Sequence, residues 1–242
     1  MLGTIINAAS VIAGSAAGLA TRAQLAPARQ QQLRILLGAF TVFIGLSITW
    51  SGLRGPLTTF AGRLLLLLTA LILGRFVGHS LGLQRHLNRV GQFARQRLFR
   101  GDTASPSPSR GDAFVACSLL LCATPLALLG PLMEGLFGDW RVLALKSVMD
   151  GLAVWAFARE HRWPVAASAF PLFVWQGTLT LLARALLPPL ESALVLPAIS
   201  AAAGMLVFTV ALVILEIKKV ELANYLPSLI VAPLLAWAIQ HF

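Results

Sequence analysis

The sequence predicts an all-α, polytopic transmembrane helix bundle of about eight spans, built as two four-helix repeats in the same orientation. Three observations carry that expectation. Hydrophobic residues make up 57% of the 242 residues and charged residues only 12%, against about 25% charged in an ordinary soluble domain. The mean hydropathy is +0.80, and the apolar residues come in runs of about 20, enough for a helix to cross a hydrocarbon core of about 30 Å. Finally, several stretches of the first half return, in the same order, in the second. Helices are expected because an open sheet edge cannot satisfy its backbone groups in lipid.

The eight candidate spans are Leu2–Ala20, Ile35–Leu53, Leu57–Val77, Ala113–Met133, Arg141–Ala158, Pro164–Leu187, Ala193–Leu215 and Leu222–Ile239. The first begins at Leu2 with no charged leader and reads as a spanning helix, not a cleaved signal. The net charge of +10 does not point to nucleic acid, because the basic residues form no single patch. They collect in the loops. One set of loops holds Arg22, Arg29 and Arg34, then Arg75, Arg85, Arg89, Arg95, Arg97, Arg100 and Arg110, then Arg159 and Arg162, then Lys218 and Lys219. The opposite set holds Arg54, Arg141 and Arg184. Fourteen basic residues against three is a positive-inside bias that puts both termini outside. Trp50, Trp140 and Trp163 stand at span ends, where interfacial tryptophans belong.

Between spans three and four, "LGLQRHLNRVGQFARQRLFR" sets Leu83, Leu87, Val90, Ala94 and Leu98 on one helical face with arginines around the rest. It reads as a basic amphipathic helix on the cytoplasmic surface, facing anionic lipid headgroups. A solvated connector helix is the plainer reading. The polar, Pro/Ser-rich "RGDTASPSPSRGD" after it reads as a loop. The chain therefore divides into spans one to three (1–82), the amphipathic helix and its loop (83–112), span four (113–133) and a second repeat (134–242).

The repeat is visible without gaps in "TIINAASVIA" against "SVMDGLAVWA", where Thr4 meets Ser147 and Asn7 meets Asp150. "GAFTVFIGLSIT" resembles "SAFPLFVWQGTLT", and "SLLLCATPLALL" resembles "SLIVAPLLAW" once a short gap is allowed. An even-numbered unit must repeat in the same orientation, so the two halves would be related by a pseudo-two-fold axis along the membrane normal.

"MLGTIINAASVIAGSAAGL", "ALKSVMDG", "WQGTLTLLA" and "LEIKKVELANYLPSLIVAPLL" together resemble the domain of unknown function 554 family of bacterial integral inner-membrane proteins. The Lys-Ser-x-x-Asp-Gly element at Lys146, Ser147, Asp150 and Gly151 is the most specific part. The chain departs from the family at "CATPLALLGP", where members often carry a Gly-rich stretch. The resemblance implies a multi-pass protein of the bacterial cytoplasmic membrane, often supposed to be a transporter, with no established substrate.

The polar residues inside apolar runs are the candidate site. Lys146 and Asp150, one turn apart on one face, each cost roughly 2.5–3.5 kcal/mol to insert at a helix centre. An i,i+4 pair returns only about 0.2–0.5 kcal/mol, and Lys before Asp is the poorer order. A polar interior or a water-filled path would repay the difference; a structural interhelical pair is the alternative. Thr4, Asn7 and Ser147 would lie near the same axis, offering oxygens suited to hard cations or hydrogen-bonding solutes. Gln176 is a further lining candidate, with interhelical hydrogen bonding as its plainer role. Asn224 precedes Pro227, which frees a carbonyl of the preceding turn and either exposes it to a ligand or kinks the helix. Gly3, Gly14, Gly18 and Gly151 suit close helix packing. Arg63 is expected to snorkel to the outer edge, and Glu134 and Asp139 to sit in an outer loop.

No Ser/His, Cys/His or paired-carboxylate arrangement suggests catalysis. Cys117 and Cys122 lie inside an apolar run, and neither they nor the isolated histidines have metal-ligand spacing. No cofactor, metal or nucleic-acid partner is expected, and a homodimer is allowed by the pattern. The favoured function is a secondary transporter or channel-like carrier for a small polar or ionic solute. The alternative is a membrane scaffold or sensor whose charges are structural.

Overall fold

In the computed structural model, which describes residues 1–21, 26–98, 110–190 and 192–241, the secondary structure is helical throughout. In chain order the helices are α1 (Leu2–Ala20), α2 (Pro27–Leu53), α3 (Leu57–Ser80), α4 (Leu83–Leu98), α5 (Arg110–Cys122), α6 (Leu126–Phe137) and α7 (Arg141–His161). A 3₁₀ turn over Trp163–Ser168 leads into α8 (Ala169–Ala185), followed by the short α9 (Leu187–Leu190), α10 (Val195–Ile214), a second 3₁₀ turn over Leu222–Tyr225, and α11 (Ser228–His241). The amphipathic helix expected from Leu83 is present as α4. Most of the Pro/Ser-rich segment after it lies outside the described residues.

The distribution of side chains is that of a membrane protein. Phe43, Ile72, Phe76 and Phe170 are exposed, whereas Thr4, Asn7, Lys146, Asp150 and Gln176 are buried. Polar groups are inside because the bundle interior is where they find partners, and lipid solvates the phenylalanines outside. Among the described residues, six helical segments are long and apolar enough to cross a membrane, and the bent pair α5–α6 would be a seventh if it counts as one span.

The chain forms two compact units, neither of them contiguous in sequence: Met1–Leu25 with His86–Arg184, and Ala26–Arg85 with Ala185–Phe242. In the first unit α1 and α7 run parallel. A Cβ on Gly3 would meet Leu143 Cβ at 2.7 Å and a Cβ on Gly14 would meet the Gly151 carbonyl at 2.3 Å. The register rises together along both helices, so the backbones touch over several turns and tolerate only small residues there. A core of Val11, Cys117, Leu121, Val154, Ala158, Val165, Ala169 and Leu172 fills the space beside them.

The fourth expected span is not one helix. α5 and α6 are bent by 55° at a break between Cys122 and Leu126. The cause is Pro125, which has no N–H to give to the Leu121 carbonyl and disfavours helical geometry at the residue before it. α6 then stops at Gly138, whose φ of 68° needs a glycine and lets its N–H reach the Glu134 carbonyl at 3.0 Å. Glu134 is therefore inside a helix and buried, not in an outer loop.

In the second unit α2 and α10 pack antiparallel, with Gly52 against the Pro197 carbonyl and Gly204 against the backbone of Thr49. Ser200 joins the seam by bonding Ser51 Oγ at 3.1 Å and the Ile48 carbonyl at 3.2 Å. α3 lies against α11 and the turn before it, through Gly74 at Ser228 and Gly78 at Asn224. Arg63 does more than snorkel. Its guanidinium donates to the Arg54 carbonyl at 2.7 Å and the Ala193 carbonyl at 3.2 Å, a cation placed at the carbonyl end of α2.

Candidate functional site

The site is assembled in the first unit by four elements. α7 contributes Lys146 and Asp150, 1% and 6% exposed, with Nζ 2.5 Å from Oδ2. The other acceptor for Lys146 is the Leu121 carbonyl at 3.1 Å. That carbonyl is the one Pro125 leaves without a helical donor, and it sits at the C-terminal end of α5, where the helix dipole favours a cation. The break in α5–α6 and the lysine on α7 thus solve each other's problem: a buried ammonium finds an acceptor, and a buried carbonyl finds a donor.

α1 contributes Asn7, fully buried. Its Nδ2 donates to Asp150 Oδ2 at 3.1 Å and to Gln176 Oε1 on α8 at 3.1 Å. A carboxylate only accepts, so Asp150 fixes which way the Asn7 amide points, and Asn7 in turn fixes Gln176. The chain of amides leaves two groups over. Asn7 Oδ1 and Gln176 Nε2 are buried and make no hydrogen bond to protein, and Thr124 Oγ1, in the α5–α6 break, is in the same condition. A buried polar group left unpaired costs about 1–3 kcal/mol, so an acceptor and a donor beside one ion pair are open to a water or a solute.

One turn along α1 and α8 a second rung forms. Thr4 Oγ1 lies 3.4 Å from Thr180 Oγ1 and donates to Glu134 Oε2 at 2.9 Å. Glu134 also accepts the Gly3 N–H at 2.6 Å and the Thr4 N–H at 3.3 Å. A side chain from α6 therefore caps α1, satisfying first-turn donors that no residue of α1 itself serves.

Of the residues singled out by sequence, Lys146, Asp150, Asn7 and Gln176 meet directly, and Thr4 belongs to the adjoining rung. Ser147 turns away: its hydroxyl bonds the Ala144 carbonyl at 2.7 Å, and only its own carbonyl is engaged, by Ser10 Oγ at 2.6 Å. Asn224 lies in the other unit, where Oδ1 accepts the Gln84 N–H at 3.1 Å and Nδ2 donates to Glu221 at 2.7 Å. It organises the turn before α11. Three participants escaped the sequence reading. Thr180 carried a signal, being four residues after Gln176 on the same face. Leu121 was marked only by the proline four residues later. Glu134 resembled a loop residue because it stands so close to the end of its apolar run.

A family model described as "Protein of unknown function (DUF554)" matches residues 2–237. The chain is 28% identical to the "Uncharacterized membrane protein YdfK" of Bacillus subtilis (strain 168) over 243 residues, covering 100% of this chain and 98% of that one. It is 30% identical to the "Uncharacterized protein YqgA" of Escherichia coli (strain K12) over 233 residues, covering 96% and 94%. No solved structure matches.

Proposed function

The chain belongs to the DUF554 family of proteins, and from that premise we propose that it is a secondary transporter or channel-like carrier of a small polar or ionic solute. The observation that carries this reading is the buried Lys146–Asp150 pair set at a helix break, with Asn7 Oδ1 and Gln176 Nε2 unpaired beside it. Membrane-buried ionisable groups and interrupted helices are the usual components of solute and coupling-ion sites. The unpaired atoms offer one acceptor and one donor, while Asp150 supplies the charge on which a cation or a proton would act.

The same reading takes α7 as a full span despite its charges, giving eight. Its support is that α7 follows α1 in parallel from Gly3 at Leu143 to Gly18 at Ala158, so it would cross wherever α1 crosses. Two parallel helices that also align in sequence, Asn7 with Asp150, suit a same-orientation repeat. The inner bacterial membrane, the outward termini and pairing with a second copy belong to this proposal, on the basic-loop pattern and the family resemblance. So does the absence of catalysis.

The test is a thermal-shift screen of purified wild type and Asp150→Asn against inorganic ions, amino acids and organic acids. A ligand at about 100 times its Kd stabilises by about 2.7 kcal/mol. A solute that raises the wild-type Tm and leaves the variant unmoved is the expected result. Equal shifts in both proteins would remove Asp150 from the site. No solute shifting the wild type would favour the scaffold role, since the loss of the buried charge lowers the variant's own Tm under either reading.

A further inference from the structure

A pocket of about 500 Å³ opens at the end of the first unit where α1 and α7 both terminate, lined by Gly18, Thr21, Ala158, Arg159, Glu160 and Arg162 among others. It lies apart in sequence and chemistry from the Lys146–Asp150 cluster, at the end of the helices that the positive-inside bias assigns to the cytoplasm. Gly18 is small because its Cβ would strike the Trp155 carbonyl at 2.4 Å.

Two features of this pocket are unexplained by folding. The first is its arginines. Basic residues in a last helical turn can hydrogen-bond the free carbonyls there. Among the described residues, neither Arg159 nor Arg162 makes a side-chain hydrogen bond or an ion pair, and Arg159 Nε is buried without a partner. Arg159 instead rests its guanidinium 5.2 Å above the Trp155 ring. That ring is itself tied by its Nε1–H to Thr21 Oγ1 at 3.0 Å. Stacking on a fixed aromatic holds a guanidinium in place while leaving its N–H edge free. The second feature is strain. Arg162 has φ 63° and ψ −149°, a conformation that is essentially glycine's and costs a larger residue about 1–3 kcal/mol. A glycine would end α7 more cheaply, so the position keeps its side chain for another reason.

Among the described residues that line it there is one carboxylate, Glu160, which has His161 Nε2 at 4.0 Å. Two unpaired guanidinium groups against one carboxylate leave the pocket cationic. Guanidinium forks match tetrahedral oxyanions through paired N–H donors. The pocket lies at a helix end, the level at which headgroup phosphates stand. We propose that this pocket binds a phosphate-bearing ligand, held by Arg159 and Arg162. The chemistry is shared by a phospholipid headgroup and a free phosphate, and the experiment separates the two.

Binding of inorganic phosphate, and separately of phosphatidylglycerol against phosphatidylcholine in neutral detergent, is measured on the full chain. The comparison is between wild type, Arg159→Gln/Arg162→Gln, and Lys218→Gln/Lys219→Gln, a control that removes the same charge from another exposed loop of the same basic set. The expected result is a Kd raised at least tenfold by the pocket pair and less than threefold by the control. Preference for phosphatidylglycerol with no phosphate binding identifies a lipid headgroup; inorganic phosphate binding identifies a soluble ligand. Arg162→Gly is the second variant. It relieves the backbone, so it raises the Tm without ligand while weakening the same probe, opposite signs that a purely structural arginine would not give. Equal losses in the pocket pair and the control would overturn the proposal as general attraction to a basic face. So would binding of both probes to Arg159→Gln/Arg162→Gln as tight as to wild type, or failure of both to bind wild type.

Discussion

Replacing Asp150 by asparagine isolates the charge of the buried pair. Asp150 Oδ2 is the shared acceptor of Lys146 Nζ and Asn7 Nδ2, and an amide oxygen in its place can still receive both bonds. Shape and hydrogen bonding are nearly conserved, and what is lost is the negative charge beside an ammonium that is 1% exposed. The remaining partner of that ammonium is a neutral carbonyl, Leu121. Leaving one member of a buried pair uncompensated costs about 3–5 kcal/mol, whereas replacing both members is often neutral. Asp150→Asn alone is therefore expected to lower stability by about 3–5 kcal/mol, or roughly 6–20 °C in Tm at about 2–4 °C per kcal/mol. Lys146→Met on top of it removes the orphaned cation. It also strips the Leu121 carbonyl of its donor, at about 1–3 kcal/mol, so the pair of substitutions is expected to recover most of the loss but not all. The assay is thermal unfolding in one detergent for the two single variants and the double variant. A double variant as unstable as Asp150→Asn would refute the argument from uncompensated charge. A double variant that recovers stability yet transports solute like wild type would separate the pair from function altogether.

Pro125→Ala supplies the N–H that the Leu121 carbonyl lacks, so it is expected to lessen the 55° bend and compete with Lys146 for that oxygen. Spin-label distances across α5–α6 measure the straightening, and any solute-dependent Tm shift should weaken by tenfold or more in apparent affinity. Gly14→Ala places a Cβ 2.3 Å from the Gly151 carbonyl, which forces two backbones apart; a loss of about 1–3 kcal/mol in thermal unfolding is expected, and an unchanged Tm would mean the α1–α7 seam is looser than described.

Much of this protein was legible from local pattern. A run of apolar residues needs no partner to be recognised as a helix that lipid will solvate, and Lys146, Asp150, Asn7 and Gln176 announced themselves because each breaks such a run at a cost. The basic face of α4 was equally plain, since amphipathicity is a property of one helix. The break at Pro125 was not read from the sequence, where Ala113–Met133 passed as one span, although the proline withdraws a donor from the Leu121 carbonyl. Which group would take the place of that donor was not legible, because Lys146 stands on another helix and reaches Leu121 only after the bundle has closed.

By itself, then, the sequence determined the helical membrane class and the buried polar residues that had to find partners. The tertiary structure alone decided who those partners are. Ser147 and Asn224 share the composition of a site residue, yet one hydroxyl folds back on its own helix and one amide organises a distant turn. Glu134, discounted near a span end, became the cap of α1. Asn7 Oδ1 and Gln176 Nε2 are left over only because Asp150 dictates the orientation of both amides. The physical reason is one of range. Hydrophobicity and backbone preference act within a turn or two of chain, while the pairing of donors with acceptors in a low-dielectric interior is settled by helices brought together from far apart in sequence.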